Sequence, residues 1–225
     1  MAVAAHARRV VFLTGGTGYL GSRLIPHLLR RGHVVRAMAR RSSVARLPPG
    51  CEVLTGDVLD RATLQDAIAG CDTIIQLIGT PKPAPWKGAQ FRAVDRPSGL
   101  ASIEAARNTH AAHFVYVSVA HPAPIMRDYI AVRSDCEAAI RAAGLPATII
   151  RPWYILGPGH WWPLLLKPSY WICEQIRAMR ASALRLGLVT IHQMLGTLLW
   201  AVEHPPESVR IIEVPEIRSL GGWPL

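Results

Sequence analysis

Val10-Val11-Phe12-Leu13-Thr14-Gly15-Gly16-Thr17-Gly18-Tyr19-Leu20-Gly21 decides the fold. Four apolar residues make a buried strand, three spaced glycines make a turn, and an amphipathic stretch follows. A phosphate needs close approach by backbone N–H groups, and glycine, lacking Cβ, permits it. Gly15 suits the sharp turn, Gly18 the approach of a pyrophosphate, and Gly21 the packing of helix on sheet. Thr17, Tyr19 and Leu20 supply the rest of the loop. A glycine pattern bracketed by strand and helix is far more specific than the glycines alone, which also suit a hairpin. The helix is expected over Tyr19–Arg31, with Leu20, Leu24, Leu28 and Leu29 on one face, a kink at Pro26 and a stop at Gly32.

Outward from this turn, strands and helices alternate, which predicts an α/β fold: a doubly wound parallel sheet with helices on both faces. Strands are expected at 10–13, 34–39, 52–55, 73–77, 114–118, 148–151 and 209–214. Helices are expected at 19–31, 61–69, 91–108, 129–143, 169–179 and 191–203. Two irregular stretches break the alternation: 79–88, with Pro81, Pro83 and Pro85, and 152–168, with Trp153, Trp161 and Trp162. Both follow strands, and loops at strand C-termini line the ligand crevice in this architecture.

The second strand carries no carboxylate at its end, where a dinucleotide's ribose 2′-hydroxyl would be held. It reads Arg36-Ala37-Met38-Ala39-Arg40-Arg41-Ser42-Ser43 instead. Arg40 and Arg41 suit a 2′-phosphate, which favours NADP(H), with NAD(H) as the alternative; solvated loop charges are the bland reading. Asp57, after the third strand, can accept from the adenine amino group with Val58 near the ring, or serve as a helix cap or turn residue. Gly79 ends the fourth strand, where backbone passes the ribose and pyrophosphate.

The 225 residues carry 25 Lys and Arg against 15 Asp and Glu. The basic residues are dispersed, so specific nucleic-acid binding is not expected. Cys51, Cys71, Cys136 and Cys173 show no metal or disulfide spacing and are expected as reduced thiols in a cytoplasmic protein. His110 and His113 are expected as a surface pair, and no metal site is expected. The N-terminus lacks a signal-type apolar core. The uncharged stretch Leu186–Val202 suits a packed or interfacial helix better than a membrane span.

Taken together, these motifs resemble the short-chain dehydrogenase/reductase superfamily in its atypical or extended branch. The residues are the Thr14–Gly21 turn, Gly56-Asp57-Val58, Tyr116-Val117-Ser118, Tyr129-x-x-x-Arg133, and Arg151-Pro152 leading to Gly157-Pro158-Gly159. Among its members the chain is similar to NmrA-type regulators and to the nucleotide-binding accessory subunit of respiratory complex I. The resemblance implies one NAD(P)-binding Rossmann domain over 1–225, with 157–190 as a small substrate or docking lid. It also implies a Ser, Tyr and Lys acting on a substrate oxygen. Ser118 and Tyr129 match the first two, and Arg133 stands where Lys is the rule. Bringing a phenol from about pKa 10 to neutrality takes roughly 4 kcal/mol, part of which a fixed cation can supply. Arginine keeps its charge and can bond a ribose, but it relays no proton. These residues therefore imply either an NADP(H)-dependent oxidoreductase acting on an apolar carbonyl or quinone-like substrate, or a cofactor-binding redox sensor or assembly protein. A nucleotide-sugar epimerase is disfavoured because the chain stops soon after its last strand. The lid sequence suits an apolar substrate, a protein partner, peripheral membrane contact, or simple packing.

Overall fold

The computed structural model describes residues 7–166, 173, 175–177 and 179–225. Seven parallel strands form one sheet: β1 (Val10–Thr14), β2 (Val34–Ala39), β3 (Glu52–Thr55), β4 (Thr73–Gln76), β5 (His113–Val117), β6 (Ala147–Arg151) and β9 (Val209–Glu213). Their order is β3-β2-β1-β4-β5-β6-β9. The chain runs outward one way from β1 and the other way from β4, so the two meet at the point where ligands bind in open α/β sheets. A separate pair, β7 (Tyr154–Leu156) and β8 (Leu188–Thr190), lies parallel.

Alternation along β1 fills both faces. Val11 and Leu13 join one core with Leu24, Ile25 and Leu28 of α1 (Gly21–Arg30). Phe12 joins the other, with Leu64 and Ile68 of α2 (Arg61–Ile68). A short turn α3 (Gly88–Gln90) and a wide turn over Phe91–Asp95 lead into α4 (Arg96–Asn108). That helix and α5 (Arg127–Ala142) cover the face of α2 with Ile103, Cys136 and Ile140. After the small helix α6 (Arg180–Arg185), α7 (Ile191–Glu203) and α8 (Val214–Leu220) complete the face of α1.

Several expectations are corrected. The first helix starts at Gly21 because Tyr19 and Leu20 belong to the turn, and it runs through Pro26 to Arg30. Proline there removes the donor to the Ser22 carbonyl. The helix expected over 91–108 opens with the wide turn over Phe91–Asp95 and becomes regular α-helix only at Arg96. His113 is not on the surface: it is buried on β5 with Nε2 2.9 Å from Thr148 Oγ1. Burial, reinforced by Arg9 and Arg210, depresses its pKa to about 3. Strands β7 and β8 and helix α8 were too short to carry a periodic signal. The uncharged stretch becomes β8 and α7, joined by a capping box between Thr190 and Gln193. No helix among the described residues is long and apolar enough to cross a membrane. The helix expected over 169–179, with Tyr170 and Trp171, falls largely outside the described residues. All four cysteines are free thiols.

Candidate functional site

The glycine turn lies between the C-terminal ends of β1 and β4. Gly15 adopts φ +71°, and a Cβ there would come 2.8 Å from the Leu77 backbone. A Cβ on Gly21 would collide with the Gly15 carbonyl and approach Gly16 Cα to 2.7 Å. The turn is closed by Gly18 N–H donating to Gly15 O at 2.9 Å. Thr17, Tyr19 and Leu20 donate their N–H groups to no described residue. A compact loop with unpaired amides at a helix N-terminus fits a pyrophosphate. Beneath it, Thr14, Gln76, Ser98 and Ser102 form a buried polar chain joining β1, β4 and α4.

On the adenosine side, Arg40 and Arg41 are exposed at the end of β2 and make no ion pair with a described residue. A tight turn over Arg41–Arg46 follows, and Leu47 then packs back toward Gly16. Asp57 is exposed, and one carboxylate oxygen accepts from Leu59 N–H at 3.0 Å, so it makes a turn in this structure. Val58 is buried in the core with Phe12 and Met38.

At the exits of β4 and β5, three segments converge on Arg133. Its Nη2 donates to Asp95 Oδ1 at 2.7 Å, and its Nη1 donates to Val117 O at 3.1 Å and Tyr116 Oη at 3.2 Å. The other Asp95 oxygen accepts from Thr80 N–H at 3.0 Å and Thr80 Oγ1 at 2.6 Å. Gly79 makes room, since a Cβ there would lie 2.7 Å from Arg133 Nη2. Burial alone would lower the Arg133 pKa, but Tyr116, Tyr129 and Asp95 outweigh it, and the guanidinium is held above its ordinary value. Burial pushes the Tyr116 phenol well above its usual range despite Arg133, so Tyr116 stays neutral and Asp95 is the compensating charge. Tyr129, one helical turn before Arg133, presents its ring face to the guanidinium at 4.9 Å and packs on Phe91. Unlike Arg133, it is only half-buried.

Ser118 also follows β5 but turns elsewhere. It is buried, and its Oγ donates to Glu137 Oε1 at 2.7 Å. Glu137 takes both prongs of Arg151, at 2.9 and 2.5 Å. Burial would raise the Glu137 carboxyl pKa, but the bonds from Arg151 and Ser118 override this and hold it below its ordinary range. The structure thus brings Tyr129, Arg133 and Gly79 together and ties Ser118 into a separate buried cluster.

Asp95, Glu137 and His160 went unread in the sequence. Asp95 and Glu137 carried no local signal, since each is defined by an arginine from another element, Arg133 and Arg151. The His160 ring stacks on Tyr19 at 4.5 Å, so the chain after β7 rests on the glycine turn.

A family model described as NAD(P)H-binding matches residues 15–158. The ceramide reductase of Caulobacter vibrioides is 35% identical over 159 residues, which is 70% of this chain and 50% of that protein. A 4-hydroxy-2-methyl-3-oxo-4-farnesyl-3,4-dihydroquinoline-1-oxide ketoreductase from Stigmatella aurantiaca is 28% identical over 65% of this chain and 50% of that protein. The chain therefore spans about half the length of these curated relatives. Among solved structures, the Bordetella bronchiseptica enzyme WbmH in complex with NAD+ superposes with a TM-score of 0.68 at 20% identity, over 95% of this chain and 80% of that one. The glycine turn, the strand order and the family match converge: the chain belongs to the NAD(P)H-binding family and has its Rossmann-type fold.

Proposed function

We propose that this protein is an NADP(H)-dependent oxidoreductase acting on an apolar carbonyl compound. The observation that carries the reading is Tyr129, a half-buried phenol whose ring faces a fixed guanidinium at 4.9 Å, beside the exits of β4 and β5. Backbone amides of Thr17, Tyr19 and Leu20 would hold the pyrophosphate, Arg40 and Arg41 the 2′-phosphate, Asp57 and Val58 the adenine, and Gly79 and Arg133 the ribose side. When bound, the nicotinamide supplies or takes the hydride. Tyr129 Oη delivers the proton to the substrate oxygen during reduction, and Arg133 holds the face of its ring. Ser118 Oγ donates its one proton to Glu137, so it can donate to a substrate oxygen only when that bond is broken. The reduction of a ceramide-related compound and of a farnesylated ketone by the two relatives supports an apolar substrate.

A second reading is a binding protein that holds NADP(H) without turning it over. It is supported by the three protein bonds of Arg133 and by the bond between Ser118 and Glu137. One experiment separates the two: NADPH consumption with long-chain ketones and quinones, beside NADPH affinity. The enzyme reading expects turnover that falls at least about a hundredfold in Tyr129→Phe while affinity holds. It also expects Arg40→Ala with Arg41→Ala to weaken NADPH far more than NADH. Tight NADPH binding with no turnover across the panel would establish the second reading instead.

A further inference from the structure

The connection from β7 to β8 concentrates exposed apolar groups. Ten large hydrophobic residues are exposed among the described residues, and five of them fall here: Trp161, Leu164, Leu165, Ile176 and Met179. Leu165 is 84% exposed. The neighbouring Pro163 is buried, so the turn over Trp162–Leu166 is anchored on one side and presents Leu164 and Leu165 on the other. Farther along, Gln175, Arg177, Arg180 and Leu184 line an open groove. Between Gly157 and Thr190 the sequence holds four Lys and Arg residues and a single acidic one, Glu174. Exposed apolar and cationic residues within one connection, in a chain of net charge +10, match the charge and polarity of one kind of surface.

We propose that this connection docks the protein on an anionic lipid bilayer. Trp161, Leu164 and Leu165 enter the headgroup boundary, and Arg177 and Arg180 pair with lipid phosphates in the groove. A partner protein has no such requirement for an excess of basic over acidic residues in the connection. The proposal is independent of the reading above, because binding to lipid is measured without turnover.

The test is sedimentation of the full chain with vesicles of phosphatidylcholine alone and of phosphatidylcholine with about a third phosphatidylglycerol. The expected result is on the order of tenfold stronger binding to the anionic vesicles, lost at high salt. Arg177→Glu with Arg180→Glu should reduce binding to the level of neutral vesicles. Trp161→Ser with Leu165→Ser should weaken it on the order of tenfold. All four positions are exposed, and unchanged circular dichroism and melting temperature would show that the fold is intact. Equal binding to both vesicle types, no binding to either, or wild-type binding by both variants would overturn the proposal. So would light scattering that shows a dimer dissolved by Trp161→Ser with Leu165→Ser, which would assign the face to a second copy of the chain.

Discussion

Arg133 shows how a single residue's role changes once its partners are seen. Its spacing from Tyr129 was legible, because residues four apart on a helix share a face. Its ion pair with Asp95 crosses 38 positions, a separation that no local pattern encodes. The pair is fully inside, and an interior charge left alone costs far more than a well-packed neutral group. Asp95→Ala should therefore lower stability by about 3–5 kcal/mol, because it leaves the Arg133 guanidinium uncompensated and orphans the donors of Thr80. Asp95→Asn keeps an acceptor for Thr80 and should cost less. Replacing both partners, Asp95→Leu with Arg133→Leu, should recover part of the loss. Urea denaturation of the three variants checks the order. A loss below about 1 kcal/mol for Asp95→Ala would mean that Arg133 finds water in the folded state.

Among the elements, the glycine turn was the most legible because its chemistry is local. Strand, turn and helix occupy contiguous residues, and each glycine has a steric reason readable from spacing. The wide turn at Phe91–Asp95 was not legible, since its sequence has the apolar spacing of ordinary helix, while Asp95 at its end is held by Thr80 from a distant segment. Ser118 was placed correctly at the end of β5, but the side to which it turns depends on Glu137 from another element. The turn permits a controlled comparison. Gly21→Ala would press a methyl onto the Gly15 carbonyl and Gly16 Cα, deforming the loop. Gly144→Ala places a methyl at φ +66° with nothing within 4 Å, so it adds backbone strain alone. Both should lose about 1 kcal/mol or more of stability. Only Gly21→Ala should weaken NADPH, by at least about tenfold in calorimetric titration. Equal affinities in the two variants would remove the turn from the cofactor site.

At the scale of the whole molecule, the parallel sheet is covered on both faces, and it carries titratable groups into places where their charge is either unwelcome or fully paired. His113, between β4 and β6, is buried with its pKa near 3, and its Nδ1 has no hydrogen-bond partner among the described residues. His33, beneath the C-terminal end of α7, is likewise lowered, chiefly by burial, with Glu203 opposing. Glu137 is lowered by Arg151 and Ser118 against its burial. All three shifts have the same consequence in acid. The unfolded chain protonates its histidines below about pH 6.5 while the folded chain resists, and it protonates its glutamates below about pH 4.5 while Glu137 still holds its charge. Folding stability should accordingly be level above about pH 6.5 and fall as the pH drops. His113 alone adds a slope approaching 1.4 kcal/mol per pH unit down to about pH 3, and Glu137 joins below about pH 4.5. His113→Gln removes the ring that cannot accept a proton, so it should flatten the decline between about pH 6.5 and 4.5, leaving the smaller share due to His33 and His27. Urea midpoints across that range, converted to free energies with the measured slopes, decide the matter. A variant whose stability falls as steeply as the wild type would show that His113 takes up its proton without unfolding, and that the sheet opens there more readily than its packing implies.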